Sequence, residues 1–203
     1  MRGKPVRLVA IIVLAIAVGL VVFLATRVPP SQTVADTPLL GKSAPAISGV
    51  ALERGVSSTY SGGGEIVDRQ FSWAAYRGRW LLVDFFASWC PPCQEEAPQL
   101  LTFAMEHRGA GGVSLIGVGF DDPRAAVVGF MQETGVIWPV VLDTSGQMAV
   151  DYGVTGPPEA FLVDPAGKIV EHIDGAVTVS LLNSVFLRAS SAYQHALESR
   201  GQT

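Results

Sequence analysis

Cysteine is almost missing from this chain. Cys90 and Cys93 are the only two in 203 residues. No disulfide-stapled scaffold can be built from them, and if they pair they pair with each other. Histidine is nearly as scarce, and His107, His172 and His195 show no paired spacing. A zinc site would need two ligands beyond the cysteines, and none stand in pattern. Covalent haem would need His directly after Cys93, where Gln94 stands. Charge is sparse too: 16% of residues are charged, the net is -4 and the pI is near 5.3. With no basic patch, nucleic acid is not an expected partner. No internal repeat is present. What the chain has in quantity is apolar surface, 49% of residues, which suffices for a packed core and excludes disorder.

Part of that surface is concentrated at the start. From Leu8 to Thr26 there is no charge; Arg2, Lys4 and Arg7 precede the run and only Arg27 follows closely. A helix of about 19 residues at about 1.5 Å each spans roughly 28 Å, close to a bilayer core. The basic flank puts the N-terminus in the cytoplasm and the rest outside. Residues 1–28 are therefore expected to be a cytoplasmic n-region and a single-pass transmembrane signal-anchor. A cleaved signal peptide is the alternative, with "TVA" at 33–35 its weak candidate site, and a buried core helix is the bland one. Export by either of the first two routes places the remainder where disulfide chemistry is possible.

Residues 29–45 are rich in Pro, Ser and Thr and read as a linker. Residues 46–190 carry the main domain, and 191–203 its helix end and tail. Residues 46–70 are poorly periodic, with "SGGG" at 61–64 as a flexible turn and only weak strand signals. From Trp80 the pattern sharpens. "WLLVDFF" suits a strand buried on both faces. Ala97, Leu100, Leu101, Ala104 and Met105 predict one face of a helix after the cysteines. "VSLIGVGF" (113–120) is a second buried strand, and a helix then opens with Asp122 as N-cap and Pro123 at its first position. "PVVLD" (139–143) and "AFLVD" (160–164) are short strands. "DPAG" (164–167) has turn chemistry, so "KIVEHI" returns antiparallel. Thr178 can cap a last helix that carries Leu182, Val185, Phe186 and Ala189. This order implies an α/β fold with a mixed sheet.

The cysteines sit in "FFASWCPPCQEEAP", between a strand and a helix. At a helix start the first thiol lies near unpaired backbone N–H groups and the positive end of the helix dipole, and both favour the thiolate. The second lies one turn inside, close enough to close a small ring. Cys90 is thus the candidate attacking thiol and Cys93 the resolving one. Pro91 and Pro92 suit a first turn and stiffen the ring, while Phe85, Phe86 and Trp89 shield the pair. An inert structural disulfide would not need this arrangement. The pair itself is the redox group, and no separate cofactor and no metal are expected.

Two carboxyls and a turn invite functional readings. Asp84 interrupts the apolar strand. It is either a surface strand end or a buried carboxyl of raised pKa that moves a proton to or from Cys93. Glu96 lies one turn after Cys93, either tuning the pair or, like Glu95, stabilising the helix N-terminus. "TGPPEAF" (155–161) places two prolines before a strand. It is an ordinary tight turn, or a turn with a cis X-Pro bond whose backbone pairs with an extended substrate.

Taken together, "GKSAP" (41–45), "RGRWLLVDFFASWCPPCQEEAP", "GVGFDDPRAAVVGFMQETG", "DYGVTGPPEAFLVDPAGKIV" and "DGAVT" (174–178) resemble the membrane-tethered thioredoxins of the TlpA, ResA and CcmG/DsbE type. The resemblance implies a thioredoxin fold, a mixed central sheet flanked by helices behind an N-terminal transmembrane helix, with its catalytic domain extracytoplasmic or periplasmic. It implies catalytic roles for Cys90, Cys93 and Glu96, alongside the proton-transfer role that burial would give Asp84. It makes Pro158 the cis-proline facing the cysteines and groups Trp89, Pro157, Pro158 and Glu159 as substrate contacts. "GVTGPPE" is most similar to the CcmG branch, whose members reduce the haem-binding cysteines of apocytochrome c with electrons from a membrane thiol carrier. Asp84 stands where such relatives more often have Asn, Phe86 replaces a usual Trp, Ala160 a usual Thr, and 50–69 is longer than usual. A peroxiredoxin would need Thr or Ser at Ala87 and Pro at Val83. Three functions follow: a reductase dedicated to cytochrome c maturation, a general extracytoplasmic oxidoreductase with other clients, and a binding module that holds apocytochrome or haem without turnover.

Overall fold

The structure, a computed structural model, describes residues 11–20, 33–35, 37–55 and 65–201. The chain forms two compact units, Met1–Ser31 and Gln32–Thr203. In the first, residues 11–20 are helical (α1), with Ile11, Leu14 and Ile16 among its exposed apolar side chains. The remainder of the expected Leu8–Thr26 span lies outside the described residues, as does the "SGGG" turn. Among the described residues no helix is long and apolar enough to cross a membrane.

The second unit is built on one sheet of eight strands: β1 Thr33–Val34, β2 Val50–Arg54, β3 Ile66–Gln70, β4 Trp80–Phe86, β5 Val113–Phe120, β6 Val140–Asp143, β7 Glu159–Val163 and β8 Ile169–Asp174. Their order is β1-β8-β7-β4-β5-β6-β2-β3, with β4 and β6 parallel to β5 and the other pairs antiparallel. The helices are α2 Pro91–Glu106, α3 Arg124–Thr134, α4 Gln147–Tyr152 and α5 Val179–Gly201.

Alternation along β4 divides the core. Trp80, Leu82 and Phe86 pack on one face with Leu100 and Phe103 of α2, Phe130 and Met131 of α3 and Leu182 and Val185 of α5. Leu81, Val83 and Phe85 pack on the other with Ile116, Tyr152 and Phe161. Every residue of β4 is buried, as the continuous apolar run predicts. Phe85 meets Phe120, Tyr152 and Phe161 at ring-centroid distances of 4.9–6.4 Å. Each such pair adds about 0.5–1.5 kcal/mol beyond its area.

Three expectations change, and two helices add to the reading. Residues 33–45 are not a free linker: β1 pairs with β8, the Gly41 N–H donates to Ile169 O at 2.8 Å and the Ala44 N–H to Gly167 O at 2.9 Å. Polar, Pro-containing sequence can still add to an open sheet edge, because its backbone supplies the bonds. Asp122 does not cap α3, whose N-cap is Pro123; its carboxylate is drawn to Ser88 instead. Met105 is 57% exposed, because the inward stripe of α2 runs through Cys93, Glu96, Leu100 and Phe103. The helix α4 appears where no periodic pattern exists, since six residues are too few to show one. Finally, α5 runs unbroken through residue 190 to Gly201. At its start the Thr178 hydroxyl accepts from the Leu181 N–H at 3.2 Å, the expected cap.

Candidate active site

The buried strand β4 ends at Phe86, and a turn of three residues leads to α2. Cys90 is the N-cap of that helix, and Pro91 and Pro92 occupy its first two positions. Proline suits these positions because their N–H groups would have no intrahelical partner. The Cys93 N–H points at Cys90 Sγ, 3.2 Å away. Cys90 and Cys93 are joined in a disulfide. Cys90 is 3% exposed and Cys93 1%. The chain thus places the first sulfur at the helix mouth and the second inside, as the spacing requires.

The approach turn is clamped. The Ser88 N–H and hydroxyl both donate to the Asp122 carboxylate, at 2.5 and 3.0 Å. The Gln94 side chain donates to Ser88 O at 2.8 Å, and the Trp89 Nε1–H donates to Asp121 O at 3.2 Å. Asp121 takes a left-handed backbone, φ 52°. Held this way, Trp89 is 56% exposed beside the disulfide, open for contact with a partner. It is not the shield expected of it; Phe86 is buried in the same cluster as the cysteines, while Phe85 packs on the opposite face of the sheet.

Asp84 and Glu96 are both buried, 3% and 2% exposed. Asp84 alternates onto the face of β4 that Leu82 and Phe86 share with α2. Glu96 lies on the inward stripe of α2, one turn past Cys93. Its Oε2 accepts from the Val177 N–H at 2.9 Å, while Glu96 Oε1 and Asp84 Oδ1 have no hydrogen-bond partner among the described residues. Burial pushes the Asp84 carboxyl up to about 7. Burial also raises Glu96, the charge of Asp84 adds to the rise, and the Val177 bond opposes it. Neither acid is a surface feature or a first-turn helix stabiliser.

On the other side of the sulfurs lies the turn before β7. The Pro157–Pro158 bond is cis. Pro157 O approaches Cys90 Sγ at 3.6 Å. Pro158 is the expected cis-proline, and its bond with Pro157 lies beside the cysteines. Proline has no N–H, and Pro158 O already accepts from the Gly175 N–H at 3.0 Å. The backbone group that faces Cys90 is the carbonyl of Pro157.

Glu159 is 1% exposed and points to the opposite face of the sheet from Asp84 and Glu96. Its Oε1 accepts from the Thr155 N–H (2.6 Å), the Thr155 hydroxyl (2.9 Å) and the Gly156 N–H (3.1 Å). His172 Nε2 lies 2.7 Å from its Oε2. Burial raises this carboxyl, but the bonds from His172, Thr155 and Gly156 outweigh that and hold it below the usual range. The sequence reading missed Ser88, Asp122, Thr155 and His172. The available signal was the Asp121-Asp122 pair at the end of β5, level with the end of β4 in a parallel sheet.

The chain matches the family model described as Redoxin over residues 40–185. It is 31% identical over 182 residues to the thiol:disulfide interchange protein HelX of Rhodobacter capsulatus, 89% of this chain and 92% of that protein. A thiol:disulfide interchange protein DsbE homolog of Paracoccus denitrificans is 29% identical over 175 residues, 86% of this chain and 87% of that one. The thiol-disulfide oxidoreductase ResA of Bacillus subtilis is 35% identical over 107 residues; the match spans 53% of this chain and 59% of ResA, less than two thirds of its length. Among solved structures, a Chlorobium tepidum protein described as a thiol:disulfide interchange protein DsbE superposes with a TM-score of 0.58. The two are 26% identical over 74% of this chain and 96% of that one.

Proposed function

This chain belongs to the Redoxin family and is a thiol-disulfide oxidoreductase of the ResA and DsbE type, and we propose that it reduces the haem-binding cysteines of apocytochrome c outside the cytoplasm. The observation that carries the reading is the Cys90–Cys93 disulfide at the mouth of α2, with exposed Trp89 on one side and Pro157 O on the other. In the reducing direction the Cys90 thiolate attacks one sulfur of the client's disulfide. A client–Cys90 bond forms, the client's own S–S bond breaks, and the second client sulfur leaves as a thiolate. The Cys93 thiolate then displaces the first client sulfur, leaving the Cys90–Cys93 disulfide and a client dithiol. Two electrons pass to the client, and a thiol carrier in the membrane returns the pair to its reduced state. Resolution needs Cys93 deprotonated; Asp84, buried on the face of β4 that α2 covers, takes that proton in its ionised form, with Glu96 held protonated beside it.

The same proposal includes location. The uncharged Leu8–Thr26 run with Arg2, Lys4 and Arg7 before it supports a signal-anchor, N-terminus inside and catalytic unit outside. Retention in the membrane fraction through an alkaline wash supports the anchor, and release as a shorter soluble form contradicts it.

The function is tested by trapping. Cys93→Ser lacks the resolving thiol, so in its own cell it accumulates disulfide-linked adducts that vanish on reduction and that include Cys-x-x-Cys-His proteins. Cys90→Ser accumulates few. A broad set of adducts without such proteins makes the chain a general oxidoreductase. More adducts on Cys90→Ser than on Cys93→Ser reverses the two thiol roles.

A further inference from the structure

We propose that His172 is a positioning residue for exchange at Cys90, acting through Glu159 and the Thr155–Pro157 turn. The proposal rests on the site being a thiol-disulfide exchange centre. It assigns a role to a histidine on the far side of the sheet from the buried acids.

The contacts form one chain. The His172 ring lies flat on Phe161, centroids 4.3 Å apart and planes 3° from parallel, which fixes its direction. The Ala35 N–H donates to His172 O at 3.0 Å, fixing the backbone. Among the described residues the ring makes one polar contact, Nε2 to Glu159 Oε2 at 2.7 Å, while Nδ1 is buried without a partner. Glu159 is ionised, so Nε2 carries the hydrogen and donates. The other carboxylate oxygen gathers the Thr155 N–H, the Thr155 hydroxyl and the Gly156 N–H. The next residue is Pro157, whose carbonyl lies 3.6 Å from Cys90 Sγ. From His172 to the reacting sulfur every link is a short polar contact or a peptide bond.

Removing the imidazole donor leaves Glu159 Oε2 buried with nothing to satisfy it. The carboxyl then takes a proton or turns. Either change weakens three bonds that owe their strength to its charge, since charge-assisted bonds are about twice as strong as neutral ones. Thr155 is exposed and Gly156 and Pro157 are half-buried, so little else holds the turn. Its displacement shifts the carbonyl beside Cys90 and the surface on which an extended client must lie. A small disulfide needs only the sulfur.

The test compares kcat/KM for wild type, His172→Leu and His172→Gln on three disulfides. These are a peptide with an oxidised Cys-x-x-Cys-His segment, an unrelated peptide disulfide such as insulin, and a small aromatic disulfide. Loss of a hydrogen bond to a buried charge predicts a loss of about tenfold or more on both peptides and less than about twofold on the small disulfide. His172→Gln, which keeps an amide N–H near the Nε2 position, restores the peptide rates to within about threefold of wild type. Equal loss on all three disulfides, no loss, or no recovery with Gln overturns the proposal. If His172→Leu does not fold, Thr155→Val cuts the same chain at an exposed residue and must show the same split between peptides and small disulfide; an equal loss overturns the proposal there too. The preference of wild type between the two peptides tests the cytochrome reading separately. Indifference contradicts that reading and leaves the comparison of variants intact.

Discussion

Asp84→Asn separates a buried acid from a merely polar one. Asp84 is 3% exposed, its Oδ1 has no hydrogen-bond partner among the described residues, and burial pushes its pKa up to about 7. In the unfolded chain the same carboxyl titrates near 3.9. Below about pH 4 both states hold the proton and the group adds no pH dependence. Between about 4 and about 7 the folded chain keeps a proton that the unfolded chain has released, so unfolding becomes easier as pH rises. The slope is about 1.4 kcal/mol per pH unit per proton. From pH 5 to pH 7 this amounts to about 2 kcal/mol, and over the whole window about 4. Asn does not titrate, so whatever constant cost its amide carries is the same at every pH. The assay is urea unfolding of the oxidised protein at pH 5, 6 and 7. Relative to Asp84→Asn, wild type should lose about 2 kcal/mol of stability across that range. Curves whose separation stays constant within about 0.5 kcal/mol would refute the reasoning, since Asp84 would then be ionised throughout in the folded state.

Further outcomes follow from single contacts. Glu96→Gln removes a carboxyl that burial and Asp84 both hold protonated, so the pH–rate profile for resolution by Cys93 should move while Cys90 alkylation keeps its own; identical profiles would reduce Glu96 to packing. Asp122→Ala leaves the Ser88 N–H and hydroxyl without their acceptor and should cost about 1–3 kcal/mol, read by thermal unfolding, with Trp89 fluorescence shifting as its turn loosens. Gly112→Ala should cost about 2 kcal/mol or more, because a Cβ there would stand 1.8 Å from His107 O. A neutral Gly112→Ala would show that the loop after α2 yields freely.

How much of this was legible depended on the range of the contact. The run "WLLVDFF" gave β4 its full length, and the Pro-Pro start of α2 gave Cys90 its cap position, because both are local. Alternation says that Asp84 shares a face with Leu82 and Phe86, but not that α2 and Glu96 cover that face; this needs the β4-α2-β5 crossover. The Glu159–His172 pair was hidden for a sharper reason. Counting back evenly from the "DPAG" turn sets His172 opposite Ala160, on the wrong face. A register shift between Leu162 and Val163 moves it opposite Phe161, beside Glu159. Asp122 was misread because Asp-Pro before a helix is a cap pattern, and the competing acceptor role lies across the sheet at Ser88. The edge strand β1, two residues long, carries no apolar alternation and joins the sheet through its backbone pairing with β8.

The reduction potential of the Cys90–Cys93 pair tests the account most directly. Oxidants of this chemistry owe their strength to a stabilised thiolate in the reduced form, and Cys93 lies on the inward stripe of α2 with buried Glu96, where burial disfavours an anion. Equilibration of the purified protein with a thiol buffer of known potential at pH 7 should give a value nearer thioredoxin's, about -270 mV, than that of a strong oxidant. A value near about -120 mV would contradict the account, making the protein a donor of disulfides rather than a reductant of apocytochrome c.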